Sequence, residues 1–166
     1  VAPFTPGDKE WGLHASVDGS ILVSSISGGN QMLAGGRIDT LCQRTHLTSP
    51  DAHTTEMVSA GSMLARVLPV RGQLLELSIY QNLPTPLYID SASTIFVIED
   101  KRAAKRSIWL QRRAAILQEA QQMSDIIVIK ISESDQFSDP ETKVVAAKTY
   151  RKHLWYTNNL QQPMPA

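Results

Sequence analysis

The stretch from Ile126 to Ile131 constrains the fold more than any other part of the sequence. It reads Ile-Ile-Val-Ile-Lys-Ile, and β-branched runs of this kind form strands that are buried on nearly both faces of a sheet. Helices must then pack on that sheet. A second short apolar segment, Leu87-Tyr88-Ile89-Asp90, follows Pro84 and Pro86 and predicts another buried strand.

The first third of the chain has the pattern of an antiparallel meander. We expect strands over Trp11–Asp18 and Ser20–Ser27, a third through Met32 and Leu33, and a further one from Arg37 to Thr45. Gly28-Gly29-Asn30 is typical of a hairpin turn between two of these strands. Asp18, followed by Gly19-Ser20, would end the first strand.

The remaining segments have helical spacing. Thr54 or Thr55 can cap a helix that runs to Leu68, where Pro69 would stop it, and a second helix is expected over Arg71–Gln81. The first of these has an apolar stripe formed by Met57, Ala60, Met63, Leu64, Val67 and Leu68. A further helical region covers Ser93–Gln122 with a break near Glu99-Asp100, and a last helix begins at Pro140 behind an Asp139 cap. The order predicts a mixed α/β sheet with helices packed on it.

Length and composition limit the possible classes of protein. The 166 residues suit one domain over residues 11–157, with tails over 1–10 and 158–166. The 16 basic residues balance the 16 acidic ones, so net charge gives no sign of a nucleic-acid partner. The single Cys42 excludes an internal disulfide and a cysteine zinc site. No apolar stretch approaches the ~20 residues of a membrane span, and no signal peptide is recognisable, so we expect an intracellular protein. The chain lacks an initiator methionine and is expected to be a piece of a longer or processed protein.

Four acidic residues lie at positions where a charged side chain is energetically unfavourable. Asp18 and Asp90 follow apolar strand segments, and Glu56 shares the core-facing side of its predicted helix. Asp139 lies at a predicted helix start. Converging carboxylates repel each other unless cations neutralise them, and oxygen ligands suit Mg²⁺ or Mn²⁺. Taken singly, each acid is more simply explained as a turn, a strand end or a helix cap; the joint arrangement favours a metal site.

Three short segments resemble the ribonuclease H domain of copia-type LTR retrotransposons. Asp18-Gly19-Ser20 is similar to the opening motif of the ribonuclease H fold in general, and Glu56 follows at a suitable spacing. The first copia-type segment is His53 to Met57, which resembles the family's "Ser-Ser-Thr-Glu-Ala-Glu-Tyr". The segment Tyr88 to Ile95 resembles the family's "Tyr-Cys-Asp-Asn-(x)-Ser-Ala-Ile". The segment Ser134 to Lys143 resembles "Glu-Asp-Gln-(x)-Ala-Asp-(x)-(x)-Thr-Lys", and its second acid carries the metal-ligand role onto Asp139 rather than Asp135. The family's histidine before a later Ile-Asp pair is a serine in this chain.

This resemblance implies a fold, an activity and partners. The fold would be a ribonuclease H-like mixed five-stranded sheet, an antiparallel three-strand meander plus parallel strands, flanked by helices. The activity would be cleavage of the RNA strand of an RNA–DNA hybrid by two Mg²⁺ or Mn²⁺ ions, with the ligands Asp18, Glu56, Asp90 and Asp139. The partner would be the reverse transcriptase domain of the same polyprotein, and no general acid is assigned. One alternative is a degenerate or domesticated fold that binds nucleic acid or protein without catalysis; another is an integrase or resolvase of the same superfamily.

A cluster of basic residues offers a surface for nucleic acid. Six cations fall within 13 residues of a predicted helix, namely Lys101, Arg102, Lys105, Arg106, Arg112 and Arg113. Such a face can bind phosphates with a marked dependence on salt. The plainer interpretation is a solvated helix face. A hybrid duplex would be bound through backbone shape and 2′-hydroxyl groups rather than through base sequence.

Overall fold

The computed structural model describes residues 12–21, 25–45, 52–99 and 108–158. Five strands form one sheet in the order β3-β2-β1-β4-β5. Their bounds are β1 Leu13–Ile21, β2 Ser25–Leu33, β3 Gly36–Arg44, β4 Thr85–Ile89 and β5 Ile126–Lys130. The first three strands pair antiparallel, whereas β1–β4 and β4–β5 are parallel. The predicted mixed sheet with its antiparallel meander is therefore confirmed.

Four α-helices accompany the sheet within these ranges: α1 Ala52–Glu76, α2 Ala92–Glu99, α3 Ile108–Gln122 and α4 Ala147–Thr157. Helix α2 is described as far as Glu99 and α3 from Ile108, so the break predicted near Glu99-Asp100 falls where the described residues end. The predicted tails over residues 1–10 and 158–166 lie outside the described residues, apart from Asn158. None of the described helices combines the length and the apolar character that a membrane crossing requires.

The core lies between the sheet and α1. Buried side chains of β1, β4 and the predicted α1 stripe meet there, including Val17, Leu87, Met57, Met63 and Leu64. Leu68, which we placed in that stripe, is 37% exposed instead. Burial of this apolar surface is the main force that holds α1 on the sheet.

The two neighbouring glycines of β2 show what packs on each face of the sheet. A Cβ atom at Gly29 would lie 2.8 Å from the Ser16 carbonyl oxygen and would also strike Met63 of α1. A Cβ atom at Gly28 would lie 2.9 Å from Glu141 Cβ. Because successive strand residues point to opposite faces, the segment around Glu141 covers the face opposite α1.

The prediction of a hairpin turn at Gly28-Gly29-Asn30 is wrong. These residues lie inside β2, where the glycines are needed for close packing and not for a turn. The turn between β2 and β3 is Ala34-Gly35, with φ of 51° and 78°, as a type I′ turn requires. The first strand is also longer than predicted, because β1 continues beyond Asp18 to Ile21 and shows no exit at Gly19.

The prediction that Pro69 ends a helix is also wrong. Helix α1 continues through Pro69 to Glu76, so no separate helix covers Arg71–Gln81. Arg71 explains the continuation, because its guanidinium donates to Thr85 Oγ1 at 2.7 Å and to the Leu83 carbonyl at 3.2 Å. Tertiary contacts beyond the proline thus outweigh the lost backbone hydrogen bond.

Two further predictions need correction. Strand β5 is not buried on nearly both faces, since it is the edge strand and Ile127 is 43% exposed. The last helix begins at Ala147 and not at Pro140. The residues Asp139–Glu141 form a single 3₁₀ turn instead, followed by five residues outside any helix. This turn carries Asp139 over the sheet, opposite the core.

Candidate metal centre

Parallel pairing of β1 and β4 places two acids side by side. The register joins Ala15 with Leu87 and Ser16 with Tyr88. Continued by two residues, it aligns Asp18 with Asp90. Asp18 is only 4% exposed, and Asp90 is half-buried directly after the end of β4. The two carboxylates therefore lie side by side at the carboxyl-terminal end of the β1–β4 pair.

Gly19 allows α1 to bring in the third acid. A Cβ atom at Gly19 would lie 2.7 Å from the Glu56 backbone nitrogen and 2.9 Å from Glu56 Cα, so only a glycine permits this close approach. One carboxylate oxygen from each of Asp18, Glu56 and Asp90 then lies within 4.8 Å of the other two. The structure thus brings together three of the four acids that the sequence indicated.

Hydroxyl groups fix two of these carboxylates. Thr94 in α2 donates to Glu56 Oε2 at 2.8 Å, and His53 Nδ1 lies 2.9 Å from the same hydroxyl oxygen. Thr142 donates to Asp18 Oδ2 from the opposite face of the sheet. Each carboxylate is therefore oriented before any ion binds, which favours ion binding at a lower entropic cost.

The charges of the cluster are only partly compensated. Burial raises the pKa of Glu56, and the charges of Asp90 and Asp18 raise it further against the hydrogen bonds from Ser91 and Thr94. Burial and the neighbouring Asp18 charge likewise raise the pKa of Asp90. Among the described residues, no group forms a hydrogen bond with the buried Oδ1 atom of Asp90. Three clustered carboxylates, one of them with an oxygen free to accept, fit a hard divalent cation such as Mg²⁺ or Mn²⁺.

Asp139 lies beside this cluster but not within it. Its side chain is buried, and its Oδ1 atom lies 3.0 Å from Lys143 Nζ. Burial raises the pKa of Asp139 to about 6, although Lys143 opposes the shift. The charges of Asp18 and Asp90 add to that rise. Asp135, the other acid of this segment, forms an ion pair with Lys152 at 2.6 Å.

Four of the residues around the acids that the sequence reasoning missed are Lys143, Thr142, Thr94 and Gln136. Lys143 forms ion pairs with Asp139 and Asp18, and the Thr142 hydroxyl donates to Asp18. Thr94 donates to Glu56, and Gln136 is fully buried. Gln136 donates to the Val17 carbonyl at 2.8 Å, and its hydrogen bond to Asp90 lowers the pKa of that acid. Three of the four lie in the Ser134 to Lys143 segment that carried the resemblance, so that motif held a usable signal.

The proposed basic surface is described only in part. Lys101, Arg102, Lys105 and Arg106 lie outside the described residues. Arg112 in α3 is exposed, as a phosphate-binding residue should be. Arg113 is half-buried, and its side chain lies against α1. A Cβ atom added at Gly61 of α1 would be 3.4 Å from Arg113 Nη1. Arg112 therefore suits contact with a ligand better than Arg113.

The strand order, the mixed pairing and the helices define a ribonuclease H-like fold, with an acidic cluster at the edge where β1 and β4 meet. Among solved structures, the chain is similar to LC11-RNase H1, which was isolated from compost by a metagenomic approach. The TM-score is 0.52 at 8% sequence identity, over 79% of this chain and 92% of that one. At this identity the likeness shows the fold alone. No protein-family model and no curated protein matches the sequence.

Proposed function

We propose that this chain is a metal-dependent endonuclease that cleaves the RNA strand of RNA–DNA hybrids. The observation that carries the proposal is the convergence of Asp18, Glu56 and Asp90 within 4.8 Å of one another, inside a ribonuclease H-like fold. Three carboxylates this close are unfavourable without a cation. Three converging oxygen ligands, two of them partly exposed, suit metal-assisted displacement at a phosphodiester.

The proposed ligands divide between two Mg²⁺ or Mn²⁺ ions. Asp18 and Asp90 would hold one ion, Asp18 and Glu56 would hold the other, and Asp139 would complete the ligands of the ion at Asp18 and Asp90. When bound, such ions supply Lewis-acid activation of water and stabilisation of the leaving oxygen. Thr94 and Thr142 would keep the Glu56 and Asp18 carboxylates in their orientations throughout.

The biological setting that we propose follows from the sequence resemblance. The chain would act during reverse transcription of a copia-type retrotransposon, as part of a polyprotein with a reverse transcriptase domain and inside the cell. Hybrid binding would use the exposed Arg112 together with the basic residues at positions 101, 102, 105 and 106. Because such contacts neutralise phosphates, affinity should fall steeply as salt rises.

The test is cleavage of a labelled RNA–DNA hybrid with Mg²⁺ or Mn²⁺, using the wild type and Asp90→Asn. The substitution keeps the shape of the side chain and removes one ligand charge, so cleavage of the RNA strand should be lost. Glu76→Gln is the matched control, since Glu76 is exposed at the end of α1 and should retain full activity. Cleavage that survives Asp90→Asn would refute the assignment of the site.

A binding module without catalysis is the second candidate. It is favoured by the separation of Asp139 from the other three acids and by its ion pair with Lys143. Hybrid binding in a fluorescence anisotropy assay, with no strand cleavage by the wild type under either metal, would support this alternative. Cleavage of double-stranded DNA in preference to the hybrid would instead indicate another nuclease of the superfamily.

A further inference from the structure

We infer that the Lys143 ammonium group takes the place of a second cation at the acidic centre, so that this chain binds one divalent ion in a preformed position and a second only after Lys143 leaves. The inference rests on the proposed function, because it concerns how the same carboxylates would share their cations. It is carried by the position of Lys143 between two of the four acids.

The geometry divides the four acids into two groups. Asp18, Glu56 and Asp90 converge within 4.8 Å. Asp139 stands apart, with its Oδ1 atom 3.0 Å from Lys143 Nζ, and the same nitrogen lies 3.9 Å from Asp18 Oδ2. Lys143 therefore bridges Asp139 to the cluster, where a shared ion would otherwise join them.

The backbone holds Lys143 at this place. Its amide donates to the Asp139 carbonyl at 3.0 Å, and the Thr142 amide donates to the same carbonyl at 3.1 Å. The Thr142 hydroxyl reaches Asp18 Oδ2. The turn that positions Asp139 thus also positions Lys143, four residues later. The Lys143 side chain is 35% exposed, so it can swing outward into solvent without disturbing the core.

Charge balance supports the same conclusion. Asp139 and Asp18 both lie within ion-pair distance of Lys143, and the charge of Asp90 also acts on it. An ammonium group supplies one positive charge where a divalent ion would supply two. A second ion must therefore either displace this ammonium or bind beside it against repulsion between like charges. At the preformed position, which Asp18, Glu56 and Asp90 surround, Lys143 contacts Asp18 alone. Among the described residues, no other lysine forms an ion pair with these three acids.

The experiment counts bound Mn²⁺ by isothermal titration calorimetry and by electron paramagnetic resonance of free Mn²⁺. Four proteins are compared: the wild type, Lys143→Met, Lys143→Arg and Lys148→Met. Methionine keeps the length of the side chain and removes its charge, whereas arginine keeps the charge. Lys148 is exposed in α4 and serves as the matched control.

We expect the wild type to bind one ion tightly and a second one more weakly. Lys143→Met should tighten the second ion by about tenfold or more, because the competing charge is gone. Lys143→Arg and Lys148→Met should behave as the wild type does. Thermal melting without metal should show a lower melting temperature for Lys143→Met than for Lys148→Met, and Mn²⁺ should restore it.

Two results would overturn the inference, and they differ in what else they affect. Equal stoichiometry and affinity in the wild type and Lys143→Met would show that the lysine does not compete with an ion, while leaving the proposed nuclease intact. Absence of Mn²⁺ binding by all four folded proteins would remove the metal centre altogether, and with it the proposed function.

Discussion

Replacement of Gly19 by alanine tests how the fold builds the metal centre. The new Cβ atom would lie 2.7 Å from the Glu56 nitrogen and 2.8 Å from the Thr55 carbonyl carbon. Both are backbone atoms, so no side chain can rotate away. Ordinary contact begins at 3.4 Å, and α1 must therefore move away from β1 by at least 0.7 Å at this point. Such overpacking costs about 1–3 kcal/mol of stability.

The same shift separates Glu56 from Asp18 and Asp90. A misplacement of this size at a reacting centre lowers activity by about tenfold or more, because the ligands no longer meet at one ion. Urea denaturation would give the change in stability, and Mn²⁺ titration together with hybrid cleavage would give the change at the site. Gly36→Ala is the control, since the neighbour that its Cβ atom would meet among the described residues is the Leu33 carbonyl oxygen, at an ordinary contact distance of 3.8 Å. If Gly19→Ala kept wild-type stability and metal affinity, the close approach of α1 to β1 would not be what positions Glu56.

Three further predictions concern other parts of the molecule. Thr94→Val removes the hydrogen bond to Glu56 Oε2 and should weaken the tightly bound Mn²⁺ at the cluster of Asp18, Glu56 and Asp90 by about tenfold, with Thr45→Val unchanged in calorimetric titration. Burial lowers the pKa of His14 to about 4. Because the folded state resists protonation, the stability that neutral His14 contributes is present above the unfolded pKa of 6.5 and is lost as pH falls towards 4. Between pH 7 and pH 5, the free energy of unfolding from urea denaturation should therefore drop by about 2 kcal/mol more for the wild type than for His14→Phe, and equal drops would contradict this. Ser78 and Ser124 have φ of 62° and 61° after the ends of α1 and α3, so glycine at either position should raise stability by about 0.5–1 kcal/mol in thermal melts, whereas Ser62→Gly inside α1 should lower it.

The acids of the site could be predicted from the sequence because each is a charged residue within an apolar pattern. Asp18 and Asp90 interrupt apolar strand segments, and Glu56 shares a helix face with Met63. Their meeting could be predicted because adjacent parallel strands present equivalent ends at one edge of a sheet. The separation of Asp139 could not, since it depends on a 3₁₀ turn in place of the expected helix and on the reach of Lys143.

The errors in the fold have a common physical origin. Gly28 and Gly29 were interpreted through their backbone freedom, although the structure uses their lack of a side chain for packing on both faces of β2. The true turn has alanine at a position with φ of 51°, which local preference does not favour. Pro69 was expected to end α1, but Arg71 binds the first residue of β4 and the segment before it, which keeps the helix in place. In each case a distant contact outweighed a local preference.

The three converging carboxylates come from parts of the chain that are far apart in sequence: β1, the beginning of α1 and the end of β4. No ion can bind to all three until the parallel β1–β4 pair has closed, and such long-range pairing forms late in folding. A divalent ion that binds only this assembled state adds to its stability without helping to form it. Stopped-flow measurements should accordingly show that Mn²⁺ slows unfolding and leaves the refolding rate unchanged. The ion would then stabilise the native state without taking part in the folding nucleus.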